Sequence, residues 1–247
     1  MVCSLWQTPV ERPHLQCDEV HVWRCSLTLP ATQLLILEET LSRDELIRGA
    51  KYYFKQDRQH FIAARGILRN ILSHYLHVNP AEIEFSYTPH GKPFLSHLID
   101  GKGLSFNLSH SHDLALFAYT FNRKIGVDVE YIQNNFEWRD IAERFFSSEE
   151  KSALQSISEN VRYKEFYTYW TRKEAFLKSI GVGLAVDPKD LNVIKQSGQS
   201  NLVIQPDQFV GMSKQWSLFD LDPGSGYAAS LAVEGKGIKI KCWQWLP

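Results

Sequence analysis

Between Asn160 and Ile180 the chain contains neither proline nor glycine, and Gly181 and Gly183 follow directly. A run of that length ending on a glycine stop reads as one long helix. Residues four apart share a helix face, so Trp170, Glu174 and Lys178 stack along one side, one turn apart. Whatever fold the chain adopts must present an aromatic ring, a carboxylate and an ammonium in that order along one stripe. Taken alone, the stripe reads as an ordinary surface Glu–Lys pair beside a core tryptophan, because such pairs are common and weakly stabilising.

A second segment narrows the choice. Ile125-Gly126-Val127-Asp128-Val129-Glu130-Tyr131-Ile132 alternates and is rich in β-branched residues, the pattern of a strand. Asp128 and Glu130 project from one face, Val127, Val129 and Tyr131 from the other. Two carboxylates on one face repel unless something positive sits between them, and a hard cation that takes oxygen ligands suits the position. By itself the segment reads more simply as an edge strand with a solvated acidic face.

The remaining elements follow in order. Residues 1 to about 18, with Pro9 and Pro13, read as an extended arm over the surface. Val20–Leu27 alternates as a first strand, and Ala31–Glu39 reads as a short helix. Ser42-Arg43-Asp44-Glu45 has the form of a capping box opening a helix toward Tyr53. Asp57–Tyr75 is a long helix with Phe61, Ile62, Ile67, Leu68, Ile71 and Leu72 as its buried stripe. Ile83–Tyr87, Leu104–Ser109 and Leu114–Thr120 read as strands. Ser147-Ser148-Glu149-Glu150 caps a further helix running to about Ile157. Strands are expected at Asn192–Ile194, Leu202–Ile204, Gln215–Leu221, Tyr227–Val233 and Ile238–Trp245, punctuated by glycine-rich turns.

The chain of 247 residues is long enough for one large domain or two small ones with real cores. A formal net charge of -1, with 44% hydrophobic and 22% charged residues, fits a globular protein without the basic field that nucleic-acid binding needs. No stretch is long and apolar enough to span a membrane. Cys3, Cys17, Cys25 and Cys242 show no metal-ligand spacing and read as scattered reduced thiols. With no secretory leader pattern at the N-terminus, the expected location is the cytoplasm.

Two further stretches carry polar groups suited to phosphates. Arg65 lies within Phe61-Ile62-Ala63-Ala64-Arg65-Gly66-Ile67-Leu68-Arg69. An unpaired charge there would be costly, so it needs an internal carboxylate or a bound phosphate. His90-Gly91-Lys92-Pro93 is a turn with a lysine at its tip, where the glycine permits close approach of the backbone to a ligand.

Together, Gly126-Val127-Asp128-Val129-Glu130 and Trp170-Thr171-Arg172-Lys173-Glu174-Ala175-Phe176-Leu177-Lys178 resemble the signature pair of the 4′-phosphopantetheinyl transferases, G-(V/I)-D-(V/I)-E and W-x-x-K-E-(A/S)-x-x-K. Phe106-Asn107-Leu108-Ser109-His110-Ser111 resembles the same family's N-(L/I)-S-H-(S/T) element. Chain length and these motifs look like the monomeric, two-lobed Sfp type, over roughly Ser42 to Gly183. The resemblance implies an α+β fold of two similar lobes related by a pseudo-twofold, each with a small, mostly antiparallel sheet packed by helices, and an active site in the cleft between them. The first lobe, residues 1–122, would bind the nucleotide of coenzyme A. The second, residues 123–247, would carry the metal and catalytic residues.

The reaction so implied moves the 4′-phosphopantetheine arm of coenzyme A onto a serine of an apo acyl or peptidyl carrier protein, of fatty acid, polyketide or peptide synthesis, releasing adenosine 3′,5′-bisphosphate. Asp128, Glu130 and Glu174 would ligate Mg2+, which bridges the two phosphates. Glu174 would also accept the serine proton, and Lys178 would steady or protonate the leaving phosphate. Arg65 would meet the 3′-phosphate, with Arg48 and Lys51 as weaker candidates. His90, Gly91, Lys92 and Pro93 would line the adenine and phosphate pocket. Ser109 and His110 would touch phosphate oxygens. Many relatives have an aromatic residue where this chain has His90. Lys173, roughly 100° around the helix from Glu174, reads as a side contact or as structural. Trp170 reads as packing, His112 as a surface residue, and the aromatics from Phe136 to Phe146 as either buried or part of a carrier-docking surface. Two other readings remain: a different Mg2+-dependent phosphoryl-transfer enzyme, or a coenzyme A- or carrier-binding module without catalysis.

Overall fold

The computed structural model describes residues 3, 5–95, 98–99, 101–181, 187–195, 201–204 and 215–247. In chain order the elements are β1 (Glu19–Ser26), α1 (Ala31–Glu38), α2 (Arg43–Gly49), α3 (Lys55–Leu76), β2 (Ser86–Tyr87), β3 (Pro93–Phe94), β4 (Leu98–Ile99), β5 (Lys102–Ser111) and β6 (Leu114–Phe121). There follow β7 (Ile125–Tyr131), α4 (Trp138–Phe145), α5 (Ser148–Ser156), α6 (Glu159–Ile180), β8 (Leu202–Ile204), β9 (Trp216–Leu221), β10 (Tyr227–Glu234) and β11 (Lys239–Gln244). The architecture is α+β, with one sheet in the order β11-β1-β6-β5-β4 and another in the order β7-β10-β9-β8.

Alternation along the strands builds three cores. One face of β1, β5 and β6 supplies Trp23, Cys25, Leu104, Phe106, Phe117 and Tyr119 to a core shared with the Phe61–Leu72 stripe of α3. The opposite face of β1 and β6 supplies Val20, Val22, Leu116 and Ala118, which meet Ile125, Val127, Val129, Leu231 and Val233 of the second sheet. The far side of that second sheet packs against α6 through Ala175, Phe176, Leu218 and Ala232. The layers therefore run helix, sheet, sheet, helix, and each strand residue's parity decides which core it enters.

The two capping boxes form as expected. Glu45 accepts from the Ser42 N–H at 3.0 Å, and Glu150 accepts from the Ser147 N–H at 2.8 Å. The α2 helix ends at Gly49 rather than continuing toward Tyr53. The α6 helix stops at Gly181, whose φ of 69° is the left-handed C-cap conformation; Gly183 lies outside the described residues.

The structure corrects three further expectations. Of Ile83–Tyr87, only Ser86 and Tyr87 are in a strand, because the Ile83 carbonyl is taken by the Arg69 guanidinium at 2.8 Å. Asn192–Ile194 is not a strand, since side chains satisfy its backbone instead. Arg172 donates to Val193 O at 2.7 Å, and Glu150 accepts from Val193 N at 2.8 Å. The final strand, β11, pairs in parallel with β1 of the first sheet. Finally, Cys3 and Cys242 are joined as a disulfide with their Cα atoms 5.5 Å apart, rather than standing as free thiols. Two residues 239 positions apart leave no local spacing signal; they meet because the N-terminal arm runs beside β11, with Gln7 N donating to Cys242 O at 3.0 Å. Cys17 and Cys25 are free thiols. Among the described residues, no helix is long and apolar enough to cross a membrane.

Candidate active site

The site begins with the crossing of α6 over β7. Gly126 makes it possible: a Cβ there would overlap the backbone at Ala175 and Ser179 of α6. The close approach sets Glu174 and Lys178 above the polar face of β7. Lys178 Nζ lies 2.5 Å from Asp128 Oδ1 and donates to Ser109 Oγ at 2.9 Å, while Ser109 Oγ donates to Asp128 Oδ1 at 2.8 Å. Ser111 Oγ donates to Glu130 Oε2 at 2.7 Å. Asp128 is 2% exposed, and its second oxygen, Oδ2, is buried with no hydrogen-bond partner among the described residues.

The carboxyls are electrostatically linked. Burial pushes up the proton affinity of Asp128 against the opposing pull of Lys178 and Ser109. Burial and then the Asp128 and Glu130 charges push Glu174 up, with Lys178 opposing. Glu130 is raised by burial and by Asp128, and lowered by its bond from Ser111. A buried, unpartnered carboxylate oxygen amid mutually destabilising carboxylates is a donor set that suits a hard cation. As the side chains stand, Lys178 supplies the positive charge beside Asp128. Among the described residues, no group of three His, Cys, Asp or Glu side chains closes into a metal cage.

A cavity of about 440 Å³ opens beside this cluster, and Arg65, His90, Gly91, Lys92, Pro93 and His110 share its wall with Glu174 and Lys178. The sequence candidates are thus brought to one place, with Ser109 and Asp128 joined through Lys178. Two of them have different partners from those expected. Arg65 is paired with Glu45, its Nε 2.5 Å from Oε1, and Arg69 Nε meets the other oxygen of Glu45 at 2.7 Å. Glu45 is thus the internal carboxylate that Arg65 requires, while a second Arg65 nitrogen donates to Tyr87 OH at 3.1 Å. Lys92 does not stand free at a turn tip. Its ammonium donates to the carbonyls of Lys178 at 2.6 Å and Ile125 at 3.0 Å, and burial lowers its proton affinity to about 8. Burial also lowers the imidazole of His110, with the Lys178 and His60 charges acting in the same direction.

Other residues resolve as packing. Lys173 Nζ is 2.8 Å from Glu150 Oε2 and donates to Pro188 O at 2.7 Å, so it is structural. Trp170 packs on Phe145 and Phe166 at ring separations of 5.3 and 6.4 Å. Trp138 and Phe146 are buried, and Phe136 packs among Tyr163, Phe166 and Tyr167. His112 is exposed, its ring stacked on Tyr131. Sequence reasoning missed Glu45, Tyr87, Asn107 and Ser111. The period of two counted from Ser109 would have placed Asn107 and Ser111 on its face; the local signal at Glu45 is that of a cap alone.

Residues 124–232 match the model of the 4′-phosphopantetheinyl transferase superfamily, and residues 23–122 match that of the 4′-phosphopantetheinyl transferase N-terminal region. The chain is 40% identical over 245 residues to the 4′-phosphopantetheinyl transferase HetI of Nostoc sp., covering 99% of this chain and 100% of that protein. It is 34% identical to a Synechocystis sp. protein named as a 4′-phosphopantetheinyl transferase, over 74% of this chain and 66% of that one. It is also 28% identical to the transferase Sfp of Bacillus subtilis, over 78% and 82% of the two chains. The chain belongs to the 4′-phosphopantetheinyl transferase family and is an enzyme of that class. Within the class it is of the Sfp type.

Proposed function

We propose that the protein takes coenzyme A as donor and transfers its 4′-phosphopantetheine arm to a serine hydroxyl of an apo carrier protein, releasing adenosine 3′,5′-bisphosphate. The observation that carries this reading is the cluster of Glu174, Asp128 and Lys178 at one end of the basic-walled cavity. Asp128, Glu130 and Glu174 are the residues that would hold a divalent cation, Mg2+ first. Once bound, the cation would neutralise charge on the pyrophosphate.

The chain's own groups then divide the work. Glu174, its carboxyl raised by burial and by its acidic neighbours, accepts the proton of the incoming serine. Attack by that oxygen at the β-phosphorus breaks the bond to the bridging oxygen, and the electron pair leaves on the departing nucleotide phosphate. Lys178 neutralises or protonates that phosphate after exchanging its contact with Asp128 for the ligand. Arg65, His90, Gly91, Lys92, Pro93, Ser109 and His110 are assigned to the nucleotide and phosphate side of the cavity. The carrier belongs to fatty acid, polyketide or peptide synthesis. The protein is read as a cytoplasmic monomer whose two α/β units form a pseudo-twofold pair.

Intact-protein mass spectrometry of an apo carrier protein, incubated with the enzyme, coenzyme A and Mg2+, tests the proposal. The expected result is a gain of one phosphopantetheine mass, lost with EDTA or when the carrier serine is changed to alanine. Coenzyme A binding without any mass gain across carriers from several pathways would overturn it.

A further inference from the structure

The strands β5 and β7 pack against each other where the two sheets meet, yet among the described residues neither pairs with the other through its backbone. Side chains of β5 take over that role at two-residue intervals. Asn107 Oδ1 accepts from Val127 N at 2.8 Å. Ser109 Oγ donates to Asp128 Oδ1 at 2.8 Å. Ser111 Oγ accepts from Tyr131 N at 3.1 Å and donates to Glu130 Oε2 at 2.7 Å. The last rung differs from the others because one hydroxyl grips both the backbone of β7 and a carboxylate beside the reaction centre. A hydroxyl that accepts from a fixed backbone N–H has its remaining donor direction restricted, so it can hold its acceptor in one orientation.

We propose that Ser111 is a positioning residue for Glu130: through its paired contacts with Tyr131 N and Glu130 Oε2 it fixes the orientation in which that carboxylate reaches a divalent cation. This rests on the cation reading above. Asn107 acts at the far end of the same ladder by pinning the register of β7 at Val127, so that Asp128 and Glu130 fall opposite Ser109 and Ser111. Ser111 touches neither coenzyme A nor the reacting atoms in this role; it acts through Glu130.

The test uses Mn2+ as the probe, titrated calorimetrically into the full chain, with crystal structures of the wild type and of Ser111→Ala. Ser111→Ala should weaken Mn2+ binding by about 10- to 100-fold, the range for outer-shell partners of ligating groups. The concentration of Mg2+ needed for transfer should rise, and KM for coenzyme A should stay unchanged. Ser111→Thr, which keeps the hydroxyl, should restore wild-type affinity, and it guards against a fold that merely tolerates change poorly. Wild-type Mn2+ affinity in Ser111→Ala would overturn the proposal, as would no recovery in Ser111→Thr with its fold intact by circular dichroism. Asp128→Asn is the control for the cation reading itself. If wild type and Asp128→Asn bind Mn2+ equally poorly, that reading fails, and Ser111 is judged on the Glu130 orientation in the two crystal structures. A changed orientation in Ser111→Ala supports the positioning role, and an unchanged one overturns it.

Discussion

Glu174 combines burial with two like-charged neighbours, and both effects raise the proton affinity of its carboxyl. With no cation bound, such a group holds its proton more tightly than a solvated glutamate; Glu174→Gln keeps its shape while removing the capacity to take up the serine proton. Transfer should fall by about 10²- to 10⁴-fold, with coenzyme A affinity largely retained. Single-turnover transfer alongside calorimetric binding would show whether the two separate, and equal losses in both would refute the base role. Lys92 makes a different kind of prediction. Its ammonium satisfies the carbonyls of Ile125 and Lys178, and Lys92→Met leaves both without that donor. A cost of about 1–3 kcal/mol in the stability of the ligand-free protein follows, measurable by urea unfolding. A lysine serving only a bound phosphate would leave the ligand-free stability unchanged.

The crossing of α6 on β7 is the element on which the site depends. Gly126→Ala places a methyl group against the backbone at Ala175 and Ser179, and relief requires the helix to move outward. We expect destabilisation of about 1–3 kcal/mol, together with loss of transfer, because Glu174 and Lys178 ride on the displaced helix. Thermal unfolding and the carrier assay read the two effects, and normal stability in the Gly126→Ala enzyme would show that the helix has room to spare. Most elements were legible because their signals are local: two capping boxes, the apolar stripe of α3, and the glycine stop of α6. Periods of two and of four residues also show that Asp128 and Glu130 share one face and that Glu174 and Lys178 share another; that the two faces meet is implied only by the family resemblance. What could not be read was set by contacts distant in sequence. Glu45 faces Arg65 only because α2 lies against α3. Asn192–Ile194 failed as a strand because Arg172 and Glu150 claimed its backbone.

At the scale of the molecule, a polar knot, buried except for the exposed Lys241, ties the first sheet to α3 and to the last strand. His21 is fully buried and bonded to Tyr75 OH at 2.8 Å, Trp23 Nε1 donates to the same oxygen at 2.9 Å, and Lys241 of β11 pairs with Glu19 at 2.8 Å. Burial lowers the His21 imidazole from its ordinary 6.5 to about 4. Between those values the unfolded chain binds more protons than the folded one, so stability rises with pH across that window. It is fully present above about 6.5 and is lost as pH falls through about 4. Urea midpoints measured from pH 7 to 4 should fall for the wild type and change less for His21→Gln; parallel curves would refute the assignment. The return of β11 to β1 bears on how the protein is made. As the chain emerges from the ribosome, the first sheet waits with one side of β1 unpaired until Lys239–Gln244, more than 200 residues later, have been synthesised. The first sheet therefore cannot mature before the second in the manner of beads on a string, and removal of β11 should impair the sheet whose other long strands were translated first.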